Sequence, residues 1–160
     1  MLFSKHRRLT IRLFFCRTAH SRAEYTKKRH VFNSQGEDCY FWIWNFGTEP
    51  SMISIGNNVS LATNVNFINH DVSNRVFNNM KRNKERDIKY SERTGHIKIG
   101  DNVFVGAGTR ILYDVTIGNN VIIGAGSLVN KDIPDGVVAA GVPCKVVGSF
   151  DDYEKKLIKE

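Results

Sequence analysis

An imidazole at the foot of an insertion is the first chemistry this chain offers. In Phe67-Ile68-Asn69-His70-Asp71 a run of regularly spaced apolar residues ends, and His70 stands where the chain leaves that run. Histidine titrates near neutrality, so its neutral ring can take a proton from a substrate group at working pH. Asp71 beside it either orients the imidazole or caps the segment that follows. His96 stands where the regular run resumes, in His96-Ile97-Lys98-Ile99, and is a weaker candidate base. His6, His20 and His30 fall among basic residues and read as surface. Only His70 and His96 lie in the periodic region, too few for a three-histidine zinc centre, so no metal is expected. Cys16, Cys39 and Cys144 are far apart and odd in number, which fits neither a disulfide framework nor zinc spacing. The expected compartment is the reducing cytoplasm.

The elements that position His70 are short and repeated. Ile99, Val105, Ile111, Ile117, Ile123 and Val129 fall six apart, and Gly follows four of them. Four positions after each anchor stands Val103, Thr109, Val115, Val121, Ser127 or Ile133. A period of six suits neither one helix face nor a long flat strand. It suits a chain that turns a corner every six residues and winds into a prism of short parallel strands. Asn57-Asn58, Asp101-Asn102 and Asn119-Asn120 fill corners, where a short polar side chain tolerates the left-handed backbone region. Ile55, Leu61 and Phe67 repeat the pattern earlier, with Val59 and Val65 as companions, in a register that does not continue into the later one. Residues 72–95 are therefore a loop leaving the prism, with His70 at its root.

A prism is open at both ends and needs caps. Residues 1–36 and 149–160 flank the repeats. Lys5, Arg8 and Arg12 share a face if residues 2–16 are helical, which gives either a cap with a solvated basic face or peripheral contact with a membrane surface. Tyr40-Phe41-Trp42-Ile43-Trp44 reads as a strand-rich first coil, and Asp151-Asp152 as the cap of a short C-terminal helix. The 160 residues carry a net charge of +7. Basic residues gather between Lys5 and Arg29 and again between Arg75 and Arg93. No helix-turn-helix, zinc-finger or RNP pattern accompanies them, so nucleic acid is not the expected partner. No secretory signal or bilayer-spanning stretch is seen.

The repeats, the insertion after Asn69-His70-Asp71, Lys131-Asp132-Ile133-Pro134 and the closing Val137-Val138-Ala139-Ala140-Gly141-Val142-Pro143-Cys144-Lys145-Val146 together resemble one family. It is the left-handed β-helix acyltransferases of hexapeptide-repeat type, among them the maltose, galactoside and capsular-polysaccharide O-acetyltransferases. The resemblance covers about residues 37–148. It implies an all-β fold: a left-handed parallel β-helix with a protruding loop (72–95), an N-terminal cap segment and a short C-terminal helix. The left hand comes from the resemblance alone. The resemblance also implies a homotrimer with acetyl-CoA in the groove between neighbouring prisms, partly covered by the loop.

Transfer of an acetyl group from a thioester to a hydroxyl needs a base, an oxyanion donor and a way to hold both substrates in reach. The family motif falls on His70 as the base. By the same resemblance, the N–H of Ala107 points at the thioester oxygen; relatives often carry Ser there, and Ala keeps the N–H alone. Ala125 and Asn130 match positions that bond the pantetheine arm. Lys131 and Lys145 match the basic positions near the CoA phosphates, and Gly148 stands where some relatives have a further basic residue. Asn45 and Glu49, one coil before His70, could bond sugar hydroxyls. Trp42 or Trp44 could stack on a sugar ring, or both could be buried in a capped first coil.

The expectation is an acetyl-CoA-dependent O-acetyltransferase acting on a sugar hydroxyl, in surface polysaccharide synthesis. The alternatives are an amino-sugar N-acetyltransferase, an antibiotic acetyltransferase and, in a different class, a non-catalytic β-helix scaffold.

Overall fold

The structure is a computed structural model that describes residue 13 and residues 15–158. The segment read as a basic amphipathic helix, residues 2–16, lies largely outside the described residues. A helix that the sequence reading did not anticipate follows it: α1, Ala19–Lys28, opened by a reciprocal cap between Thr18 and Ser21. It packs on the strand Tyr40–Phe41 and covers one end of the prism.

The prism has three faces. The first holds β1 (Ser34–Gln35), β3 (Ile53–Ile55), β8 (Ile97–Ile99) and β11 (Val115–Ile117), all parallel. The second holds β2 (Tyr40–Phe41), β4 (Val59–Leu61), β9 (Val103–Val105), β12 (Val121–Ile123) and β14 (Val137–Ala140), parallel as well. The third holds β5 (Asn66–Ile68), β10 (Arg110–Leu112) and β13 (Leu128–Val129). The chain visits the faces in strict rotation, so each strand hydrogen-bonds to the strand one coil away. That is a parallel β-helix of triangular section.

Within the regular coils, equivalent corner residues are 18 apart, as in Asp101 and Asn119. Across the insertion Asn57 and Asp101 are 44 apart. The difference of 26 is the inserted chain. All six anchors and their six companions are buried, and so are Ile55, Leu61, Phe67, Val59 and Val65. Thr109 and Ser127, the polar companions, bond the Gly124 carbonyl at 3.2 and 2.6 Å, which removes the cost of burying a hydroxyl. Asn58, Asn102 and Asn120 take φ of 52°, 57° and 54° at the first corner, as expected of them. Their amides stack into a ladder, with Asn58 donating to Asn102 and Asn102 to Asn120, each at 2.9 Å. A side chain at Gly100 would meet the Gly118 carbonyl at 2.8 Å, so the corner needs the bare backbone.

The first coil begins at Ser34, inside the segment that the sequence reading assigned to the cap. Only Tyr40–Phe41 of the aromatic run is strand. At the far end β15 (Lys145–Ser149) folds back antiparallel on β14, and α4 (Phe150–Ile158) follows. Its cap is Ser149, whose hydroxyl accepts from the Asp152 N–H at 3.1 Å. Asp151 and Asp152 instead fill the first turn, where carboxylates favour the helix dipole.

Candidate functional site

His70 begins β6 (His70–Asp71), which pairs antiparallel with β7 (Arg93–Thr94). This two-stranded neck carries the loop out from the corner between the third and first faces. Below it Asn69 is buried; its Nδ2 reaches the Gly95 carbonyl at 3.4 Å, and its Oδ1 has no partner among the described residues. The Gly95 N–H bonds the Asn69 carbonyl at 2.9 Å and closes the neck. The His70 ring is half-buried, with Nδ1 3.1 Å from the Thr48 hydroxyl of the preceding coil. If Nδ1 carries the proton and donates to Thr48, the lone pair sits on Nε2, the form a base requires.

Asp71 turns away from the imidazole. Its Oδ1 accepts from the Ser73 N–H at 2.7 Å and caps the start of the loop. That bond, with the Ser73 hydroxyl, holds the carboxyl below the ordinary aspartate range against the opposing effect of burial; the Arg93 charge and the Tyr113 hydroxyl add lesser contributions in the same direction. Thr48, Arg93 and Tyr113 were not singled out from the sequence. Tyr113 follows Asn69 by 44 positions, the offset between the two registers, so coil arithmetic alone places it under the loop root. Thr48 lies in an irregular stretch that periodicity does not reach. His96, past the neck, is exposed on the first face's side.

The other residues distribute over two edges. Ala107 and Ala125 are exposed on the edge between the second and third faces, one coil apart. The Gly126 N–H bonds the Ala107 carbonyl at 2.8 Å and the Gly108 N–H bonds Thr63 at 2.9 Å, while among the described residues the Ala107 and Ala125 N–H groups have no acceptor. Asn130 and Lys131 are exposed on the His70 edge, two coils on, and Lys145 is exposed where β15 begins. Glu49, half-buried beside Thr48, shares the His70 edge; Asn45 spends its Oδ1 on the Gly47 N–H at 3.0 Å and retains its NH2.

Trp42 and Trp44 are not buried in the first coil, but one side of each is taken. Both are exposed, at 51% and 40%, and the Arg22 guanidinium sits 5.3 and 4.4 Å from their ring centres. Arg22 is itself buried, donating to the carbonyls of Phe41 at 2.6 Å and Cys16 at 3.0 Å. The faces expected to stack on a sugar are occupied from one side by the cap.

His70 and Ala107 stand at opposite edges of the third face, on the order of 15 Å apart across five extended residues. A single chain does not bring the two together. What it presents is a triangular parallel β-helix with an imidazole on one edge and backbone N–H groups without acceptors among the described residues on the next.

Known proteins share this fold and its repeats. Residues 96–131 match the family model described as bacterial transferase hexapeptide (six repeats). The chain is 46% identical over 127 residues to the protein CapG of Staphylococcus aureus, covering 78% of this chain and 70% of CapG. The crystal structure of a maltose O-acetyltransferase from Clostridium difficile 630 is similar at 30% identity and TM-score 0.62, over 91% of this chain and 84% of that one. A galactoside acetyltransferase in complex with coenzyme A is similar at 27% identity and TM-score 0.59, over 95% and 82%. The chain belongs to the hexapeptide-repeat acetyltransferases, and it is an enzyme of that class.

Proposed function

We propose that this protein transfers the acetyl group of acetyl-CoA to a hydroxyl of a saccharide, in cytoplasmic steps of surface polysaccharide synthesis. The observation that carries the reading is His70, at the loop root with Nδ1 3.1 Å from Thr48. The relatives add the cofactor, because one solved neighbour holds coenzyme A, and the acceptor class, because two act on galactoside or maltose by their descriptions.

In this reading His70 Nε2 takes the acceptor proton as the hydroxyl oxygen attacks the thioester carbon. The Ala107 N–H receives the carbonyl oxygen as it becomes an oxyanion. The C–S bond then breaks, the carbonyl re-forms, and the CoA sulfur leaves with the proton from the imidazolium. The Ala125 N–H and Asn130 hold the pantetheine arm, and Lys131 and Lys145 meet the CoA phosphates. Glu49 and the Asn45 NH2 bond the acceptor.

The separation of His70 from Ala107 requires a second copy of the chain beside the first. A homotrimer of left-handed prisms, in which the His70 edge of one faces the Ala107 edge of the next, meets the requirement with identical contacts. The segment on which the membrane-contact reading falls, residues 2–16, lies largely outside the described residues. Among the described residues no helix is long and apolar enough to cross a membrane.

The test is turnover. Purified protein with acetyl-CoA and a panel of glycosides and amino sugars should release CoA with a hydroxyl acceptor, and His70→Ala should abolish that release while binding CoA as before. Turnover only with amino sugars would replace the hydroxyl acceptor by an amine. No CoA binding at all would leave a scaffold.

A further inference from the structure

The loop between β6 and β7 carries most of the chain's surplus charge. Arg75, Lys81, Arg82, Lys84, Arg86, Lys89 and Arg93 stand against Glu85, Asp87 and Glu92, a surplus of four out of the chain's +7. All seven cations are exposed. Among the described residues the one ion pair inside the loop is Lys81–Glu85 at 3.8 Å. Arg93 faces the Asp71 carboxylate at the neck. Arg75, Arg82, Lys84, Arg86 and Lys89 have no carboxylate partner there.

A solvated, unstructured loop would explain such charge without a ligand, but this loop is held in shape. It contains two short helices, α2 (Asn74–Asn79) and α3 (Lys81–Glu85). Three asparagines tie its outgoing and returning halves. Asn78 accepts from the Tyr90 N–H at 2.7 Å and donates to the Tyr90 carbonyl at 2.9 Å. Asn74 donates to the same carbonyl at 3.2 Å, and the buried Asn83 donates to the Phe77 carbonyl at 2.7 Å. The Phe77 and Tyr90 rings lie 5.5 Å apart. Fixing five unpaired cations on one small ordered element is electrostatically unfavourable until an anion arrives.

Resting on the acetyltransferase reading above, we propose that the acceptor is a saccharide joined to a diphosphate, and that this loop binds the diphosphate. Three of the five unpaired cations are arginines, whose planar forks match phosphate oxygens two at a time. A single sugar carboxylate would call for one such partner; a diphosphate uses several. The loop springs directly from His70, so a group attached to the ring whose hydroxyl meets Nε2 falls against it. The phosphates of CoA do not account for these cations, because Lys131 and Lys145 serve them from coils about 10 Å or more along the prism. The diphosphate could belong to a nucleotide-activated sugar or to a prenyl-linked one.

Calorimetry on the full chain separates these possibilities. Coenzyme A is titrated first, and its binding tests the parent reading alone. With CoA saturating, UDP and then farnesyl diphosphate are titrated. The expectation is a dissociation constant in the micromolar range for at least one of them, weakened at least tenfold in R82Q/K84Q/R86Q and at least tenfold on raising NaCl from 50 to 500 mM in the unmodified protein. Binding of UDP assigns a nucleotide-activated acceptor, and binding of farnesyl diphosphate alone a lipid-linked one. Failure of both to bind below a millimolar, with CoA bound, overturns the diphosphate and leaves the acetyltransferase standing. Binding that ignores the triple substitution and the salt overturns the assignment to the loop. The salt series needs no variant, so misfolding of R82Q/K84Q/R86Q does not rescue the proposal.

Discussion

The regular coils from Ile97 to Ile133 and the loop from Asn74 to Tyr90 are neighbours in sequence and opposites in construction. In the coils side chains shut away from water recur at alternating steps of two and four residues, nearly all of them apolar, and the backbone pairs with itself on three faces. In the loop the one buried residue is Asn83, and Val76, Phe77, Ile88 and Tyr90 are all exposed. The coils are held by burial and ladder bonds; the loop is held by asparagine side chains that stand in for a ladder. The coils thus give His70 a rigid footing, and the loop presents charge without contributing a core. Core burial and surface charge have been given to different parts of one chain.

The comparison predicts where damage will fall. The largest effect is expected at the seam, with His70→Ala. Loss of a positioned base costs about 10²–10⁴ in rate, read as kcat in steady-state turnover, with an unchanged thermal midpoint. A midpoint several degrees lower would mean that the seam is structural.

Next comes Ile123→Ala, in a fully buried coil position. Truncating such a residue costs about 2–5 kcal/mol, seen as an earlier thermal or urea transition at matched protein concentration. A shift inside the measurement error would show that the coils do not carry the stability.

Asn83→Ala should remove the loop's buried tie. Leaving a buried partner unpaired costs about 1–3 kcal/mol, and here it should appear as faster amide exchange confined to the loop. Faster exchange spreading into the coils would erase the boundary between the two regions.

Thr48→Val should lower kcat by about tenfold, or roughly 1.4 kcal/mol of barrier, by freeing the imidazole to take other orientations. A purely structural hydroxyl would leave both kcat and its pH profile alone.

The smallest effect concerns pH. The folded-state pKa of Asp71 is depressed, so its contribution to loop order is complete above the unfolded aspartate value of about 4 and fades as pH falls through the lower folded value. An NMR titration should therefore find the Asp71 carboxyl titrating below an ordinary aspartate, with loop amides losing protection only in that acid range. A midpoint at the ordinary value would remove the cap from the account.

Some of this was legible in the chain. A period of six names its own buried residues: the anchors and companions all lie in the core because a side chain at each such step must point inward. The corner asparagines were legible for a local reason, their tolerance of positive φ. The break in register located the loop, and the loop located His70. Two local readings went astray, and one element went unread. The first coil starts earlier than the aromatic run suggested, the C-terminal helix is capped by Ser149, and α1 was not anticipated. A first coil and a helix of ordinary composition carry no repeated pattern to betray them.

The sequence by itself determined the prism, its core and its interruption, because those follow from spacing that any one strand must obey. Only the tertiary structure decided that Thr48 meets His70, that Asp71 serves the loop and not the imidazole, and that Arg22 is buried against the tryptophans. Each of those contacts joins residues 19 or more positions apart, or chooses between two geometries that the same residues allow. The same holds for the separation of His70 from Ala107. Spacing assigns a residue to a coil, but the winding of the coil assigns it to an edge.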